Sequence, residues 1–193
     1  MRREHSVEPS WFEGLFRDNP DPWNFESSPY EQAKYSHTLQ VLPCERFAAA
    51  LEVGCANGVF TQLLAPRCKR LQAVDVSPTA LAKARQRCAG LRGVTFEQRI
   101  MPVDAPAGPF DLVLLSEVVY YWDDADLARL ARYLKSSVCS EGYLLLVHWT
   151  GQTDYPKSGD EAVSELRRLL ADHVAVQVED RCDSYRLDLW PRS

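Results

Sequence analysis

The chain has 193 residues, 46% hydrophobic and 25% charged, with 22 Lys and Arg against 27 Asp and Glu for a formal net charge of −5. That balance fits one soluble globular chain able to bury its own core. It excludes disorder, and it excludes polyanion binding by charge attraction, which needs a basic surface. No apolar run nears the roughly 20 residues that span a bilayer. The polar start Arg2-Arg3-Glu4-His5-Ser6 lacks the apolar segment of a secretory signal, so a cytoplasmic chain with no membrane or nucleic-acid partner is expected. Its six cysteines show neither Cys-x-x-Cys nor zinc spacing, which predicts reduced, mostly buried thiols and no bound metal.

Residues 1–29 read as an aromatic arm, with Trp11, Phe12, Phe16, Trp23 and Phe25 set among acids and prolines. The arm holds a short helix near 10–17 that the prolines at 20 and 22 prevent from continuing. Residues 30–193 read as a single domain. A helix runs from Tyr30 to Leu42 and stops before Pro43. A strand over 50–53 enters Gly54-Cys55-Ala56-Asn57-Gly58, and a helix follows through about Ala65. A second strand spans 71–75; Ser77-Pro78 then supplies an N-cap and a first-turn proline for a helix ending near Gly90. Further strands are expected over 94–98 and 110–115, the latter apolar enough to be covered on both faces. A helix opens at Asp123-Asp124, Gly142 sits in a turn, and a strand spans 143–147. A helix over 159–173 places His173 in its last turn as a dipole partner, and strands over 174–179 and 185–190 pair antiparallel. The alternation predicts an α/β, doubly wound, Rossmann-like sheet of seven strands, mostly parallel with an antiparallel last strand. Such sheets bind ligands beyond the carboxyl ends of their strands, beside the first strand.

In Glu52-Val53-Gly54-Cys55-Ala56-Asn57-Gly58 the glycines let backbone pass close to a ligand, and Ala56 keeps the turn narrow. Asp75 closes the next strand, where a carboxylate can accept both hydroxyls of a ribose. A dinucleotide loop requires glycine where Val59 stands, and this counts against a nicotinamide cofactor. The acid-x-Gly-x-small-x-Gly spacing instead resembles motif I of the class I S-adenosylmethionine (SAM) methyltransferases.

That resemblance implies that Glu52 fixes the loop and its ligand, the loop cradles the methionine part, and Asp75 takes the ribose. Carried over by position, it assigns cofactor contacts to Trp23, Tyr30, Glu52, Gly54, Cys55, Ala56, Asn57, Gly58, Phe60, Asp75, Val76, Ile100, Met101, Ser116 and Glu117. The family often places an acid near the adenine after strand three. Here Ile100-Met101 stand there, and either their backbone groups with apolar packing or Asp104 folding back serves the base. Ile100 and Met101 read equally as core filling.

Methyl transfer needs an aligned acceptor, exclusion of water and a route for a proton. Strand four ends in Ser116-Glu117-Val118-Val119-Tyr120-Tyr121-Trp122. Glu117 is expected to orient an amine or take its proton, and Tyr121, like Tyr120, to wall the pocket and stabilise a cation through its ring. His148, at the end of strand five, is a candidate general base. Glu117, Tyr121 and His148 are thus the catalytic candidates.

Asp21-Pro22-Trp23, Ser28-Pro29-Tyr30-Glu31, Lys34-Tyr35, the glycine loop and Ser116–Tyr121 together resemble the nodulation protein S (NodS) family. The likeness runs from about residue 18 to 148. It implies N-methylation of an amine on a sugar-like or oligosaccharide acceptor, with the arm folding over the cofactor as a lid. A small-molecule O-methyltransferase and a non-catalytic domain binding SAM or S-adenosylhomocysteine (SAH) are the alternatives. Lys34, on a helix, is expected to be solvated.

Overall fold

The computed structural model describes residues 2–193, which form two compact units, one of 8–99 and one of 2–7 with 100–193. In the first, α1 (Pro9–Asp18) and α2 (Pro29–Gln40) precede β1 (Ala50–Val53), α3 (Val59–Leu64), β2 (Leu71–Asp75), α4 (Pro78–Arg87) and β3 (Val94–Gln98). Helices α1, α2 and α4 each begin on a proline, whose fixed φ suits the first turn and whose missing N–H costs nothing there. Ser28 and Ser77 cap α2 and α4 by accepting from Glu31 N–H and Ala80 N–H. Strands β1, β2 and β3 run parallel in unbroken register.

The second unit holds β4 (Phe110–Ser116), α5 (Asp124–Ser137), β5 (Val138–Trp149), α6 (Gly159–Leu169), β6 (Val178–Arg181) and β7 (Tyr185–Pro191). Leu112, Val113, Leu114 and Leu115 of β4 are all fully buried, as a strand covered on both faces requires. Strand β5 is parallel to β4, while β7 is antiparallel to both β5 and β6. The sheet order is β3-β2-β1-β4-β5-β7-β6, the seven-stranded, mostly parallel arrangement that the pattern of elements predicts. No helix among the described residues is long and apolar enough to cross a membrane.

Four local expectations are corrected. The turn expected at Gly142 lies inside β5, where the register with β4 breaks between Val138 and Tyr143. A Cβ on Gly142 would fall 2.7 Å from Val138 and 3.1 Å from the Phe110 carbonyl, so the break closes only around glycine. Helix α6 ends at Leu169, and His173 therefore lies beyond it, its N–H donating to the Leu170 carbonyl. The penultimate strand starts at Val178, four residues later than expected. Of the six cysteines, Cys55, Cys68 and Cys88 are buried, Cys139 is half-buried, and Cys44 and Cys182 are exposed.

Gly58 is required for a packing reason. Its φ is +80°, and a Cβ there would lie 2.8 Å from the Ala84 Cα and 2.9 Å from its Cβ. Helix α4 thus rests directly on the loop. Gly58→Ala is expected to destabilise the fold by ~2–4 kcal/mol, combining left-handed strain with overpacking. Gly90→Ala, with nothing within 4 Å of the added atom, should change stability by less than about 0.5 kcal/mol. Urea unfolding of both variants checks this.

Candidate functional site

The loop between β1 and α3 is built on three left-handed residues, Gly54 (φ 76°), Ala56 (φ 49°) and Gly58 (φ 80°). A non-glycine residue holds that conformation only when its surroundings impose it. For Ala56 the constraint is visible: its N–H donates to Asp75 Oδ2 at 2.9 Å. The N–H groups of Gly54 and Cys55 both donate to the Val74 carbonyl, and that of Gly58 to the Cys55 carbonyl. Four of the five loop N–H groups are therefore used internally. A phosphate-binding loop works the other way, aiming its N–H groups at the anion.

What surrounds this loop is acid. Asp75 is buried, and its other oxygen accepts from Ser77 N–H at 2.9 Å. Burial pushes Asp75 up, with hydrogen bonds from Ser77 and Ala56 opposing the shift. Each oxygen retains lone-pair capacity beyond the bond it accepts. Glu52, one strand over, is only 3% exposed, and its Oε2 has no hydrogen-bond partner among the described residues. Desolvation raises its pKa to about 8, the Thr61 hydroxyl pulling the other way and the Asp75 charge adding to the rise. Glu13 of α1 accepts from the Ser77 hydroxyl at 2.7 Å, the Thr79 hydroxyl at 2.7 Å and Thr79 N–H at 3.2 Å. Burial opposes its ionisation, but these hydrogen bonds outweigh it and hold Glu13 near 2. An acid-rimmed loop with few outward N–H donors suits a cation.

The arm residues 8–29 wire into the same loop. Asp21 accepts from Phe25 N–H, Glu26 N–H and Asn57 Nδ2, the last at 3.2 Å. Asn57 is fully buried, its Oδ1 without a partner among the described residues. Arg87 donates to the Asn57 carbonyl at 3.0 Å and pairs with Glu26. Trp23 packs its ring on Phe16 and Phe25 at 5.7 and 5.5 Å, and Phe60 packs on Tyr35 at 5.1 Å. Tyr30 is exposed, with the Lys34 ammonium 5.1 Å from its ring centre. Lys34 itself is 2% exposed and pairs with Glu31 at 3.0 Å, so the expected solvated lysine is a buried one. Val76 is half-buried in the turn after β2. Sequence pattern gave no sign of Glu13, whose partner Ser77 lies 64 residues away.

In the second unit Ser116 ends β4 half-buried, and Glu117 follows with φ +55°, another imposed left-handed residue. Its Oε2 accepts from the Tyr120 hydroxyl at 2.6 Å and from Trp149 N–H at 2.9 Å. His148 is fully buried, and its Nε2 accepts from Val119 N–H at 3.1 Å. That bond gives the imidazole a structural task in the turn bearing Glu117. Tyr120 stacks on Tyr155 at 5.3 Å, and Tyr121 meets Tyr155 edge-on at 4.6 Å. Burial pushes the Tyr120 and Tyr121 hydroxyls far above the usual phenol range, with the Glu117 charge contributing, so both are neutral donors near pH 7. Tyr155 carries no signal in the sequence, being a lone tyrosine in a polar loop. Ile100 is 46% exposed and Met101 is buried, so only Met101 fills core; Asp104 is exposed, its N–H bonded to the Ile100 carbonyl.

The sheet order and the loop define the Rossmann-like methyltransferase fold. The N-methyltransferase NodS from Bradyrhizobium japonicum, solved in complex with SAH, shares it with a TM-score of 0.80 at 23% identity, over 94% of this chain and 97% of that one. The family model of nodulation protein S (NodS) matches residues 15–146, and the chain belongs to that family. Nodulation protein S of Sinorhizobium fredii is 36% identical over 65% of this chain and 59% of its own length. That of Bradyrhizobium diazoefficiens is 39% identical over 54% of this chain and 50% of its own. The chain thus spans about half to three fifths of the length of these relatives.

Because the fold holds the Glu52 proton more tightly than the unfolded chain does, this group's contribution to stability is full below about pH 4.5. It falls as pH rises through about 8. Glu52→Gln should remove that fall and gain ~1–3 kcal/mol relative to the parent at alkaline pH. Urea midpoints measured between pH 5 and 9 test it; parallel curves for the two proteins would contradict the assignment.

Proposed function

We propose that the protein is a SAM-dependent methyltransferase, and that its acceptor is an amine on a sugar-like or oligosaccharide small molecule, methylated in the cytoplasm. One observation carries the cofactor reading: the loop uses its N–H groups internally while Glu52 and Asp75 stand buried beside it. A pyrophosphate finds few outward N–H donors there, whereas a nucleoside with sulfonium and ammonium charges can draw on the buried carboxyls. The cofactor supplies an electrophilic methyl group on a cationic sulfur. Family membership and the SAH bound to the B. japonicum NodS protein support the same reading.

In this reading Asp75 accepts the ribose hydroxyls, and Glu52, with Gly54, Cys55, Ala56, Asn57 and Gly58, seats the amino-acid end. Entry of a positive charge lowers the Glu52 pKa, so binding releases a proton and tightens as pH rises through about 8. Trp23, Tyr30, Phe60, Val76, Ile100, Met101 and Ser116 complete the cofactor contacts, and the arm acts as a lid that excludes water. Glu117, its orientation fixed by Tyr120 and Trp149, holds the acceptor amine and receives its proton. The ring of Tyr121 stabilises the cation. His148 acts by anchoring the turn that presents Glu117. The sugar-like acceptor is drawn from the family alone.

Calorimetry with SAM and SAH, followed by SAH release against amines, hydroxyls and carboxyls, tests the proposal. Binding with turnover on amines is expected; binding with no turnover on any acceptor would make this a cofactor-binding domain instead. Asp75→Ala should weaken SAM binding by ~1–3 kcal/mol. Glu117→Gln should lower kcat by about 10²-fold or more with little change in SAM affinity, and an unchanged kcat across pH would remove Glu117 from the proton step.

A further inference from the structure

Ser77 stands between two acids of the first unit. Its N–H donates to Asp75 Oδ1 at 2.9 Å, while its hydroxyl donates to Glu13 Oε2 at 2.7 Å and accepts from Ala80 N–H at 3.0 Å. The residue is fully buried, so water does not replace a bond lost there. Glu13 also accepts from the Thr79 hydroxyl at 2.7 Å and from Thr79 N–H at 3.2 Å. Pro78 has no N–H to offer. Glu13 and Ser77 thus satisfy the donors of Thr79 and Ala80 that open α4, where the helix dipole favours an anion.

This arrangement bears on Asp75 through proton counting. A hydroxyl has one proton to give, and two carboxylates touch Ser77. Because Glu13 takes that proton, the remaining lone pairs of Asp75 stay open to a ligand. Without an acceptor at position 13 the hydroxyl is left with Asp75, and the turn that carries both is free to shift. The Glu13 charge also pushes Asp75 up, but it ranks behind burial and the hydrogen bonds, so its removal offsets the effect only in part. The arm keeps a second hold on the same unit: Asp21 accepts from Asn57 Nδ2 at 3.2 Å, and Phe16 of α1 is buried. Truncating Glu13 therefore leaves α1 docked.

We propose that Glu13 is a positioning residue for the cofactor: by engaging the Ser77 hydroxyl it holds the Asp75 carboxylate in place for the ribose hydroxyls. The ribose rests on the SAM reading, whereas the link from Glu13 to Asp75 does not. Two measurements on the full chain separate them. The first is calorimetry with SAH and with an SAH analogue lacking the 2′ and 3′ hydroxyls. Glu13→Ala should weaken SAH about three- to tenfold and the analogue less than about twofold. Glu13→Gln, which keeps one acceptor for the Ser77 hydroxyl, should show the same selectivity at smaller size. The second is amide hydrogen exchange without ligand. Ala56 N–H is bonded to Asp75, and its exchange should quicken about tenfold in Glu13→Ala while the β1 amides stay unchanged. An equal loss for both ligands would make Glu13 a docking residue of the arm and overturn the proposal. Unchanged SAH affinity or unchanged Ala56 exchange would overturn it too. If the parent binds neither ligand, yet the Ala56 amide still quickens, the Glu13–Asp75 link is upheld and the SAM reading alone falls.

Discussion

The carboxylate of Asp75 holds two backbone segments at once. One oxygen accepts from Ala56 N–H in the loop after β1, the other from Ser77 N–H at the start of α4. This double bond to the main chain keeps Ala56 in a left-handed conformation that alanine does not adopt unaided. It also sets Ser77 to cap α4, and the capped helix end is where Glu13 of α1 attaches. Loop, second strand, fourth helix and aromatic arm therefore share one electrostatic anchor.

Such an anchor has a cost, because a second acid, Glu52, lies buried in the neighbouring strand. Burial away from water raises the Glu52 pKa to about 8, the Asp75 charge adding to the rise, and the carboxyl is therefore largely protonated near neutral pH. In the second unit Glu117 shows a different economy: its backbone is strained, and two donors from separate elements fix its carboxylate. Strain held in place by hydrogen bonds is typical of residues positioned for chemistry.

Much of this was legible in the sequence, for identifiable reasons. Leu112–Leu115 announced a doubly covered strand because nothing polar interrupts them, and Ser77-Pro78 announced a helix start because cap and first-turn chemistry are local. The glycine loop was legible as a loop, yet the purpose of Gly58 was not: it makes room for Ala84, a tertiary neighbour that spacing cannot reveal. The burial of Lys34 is not legible in its helical position, because it depends on a buried glutamate, Glu31, one turn away. Glu13 and Tyr155 act through partners distant in sequence or on irregular chain. His148 stood out as a histidine at a strand end, and only the structure shows its ring nitrogen engaged by Val119.

The amino-terminal residues carry one more implication. Val7 donates to the Tyr121 carbonyl, Ser6 exchanges hydrogen bonds with Asp123 and reaches Asp126, and Arg3 reaches Asp154, all within the unit otherwise made of 100–193. That unit is thus assembled from two stretches separated by the whole of 8–99. Neither half is a cassette that a single cut could lift out intact, and a protease nick near residue 7 would strip one unit of its edge while leaving the other whole.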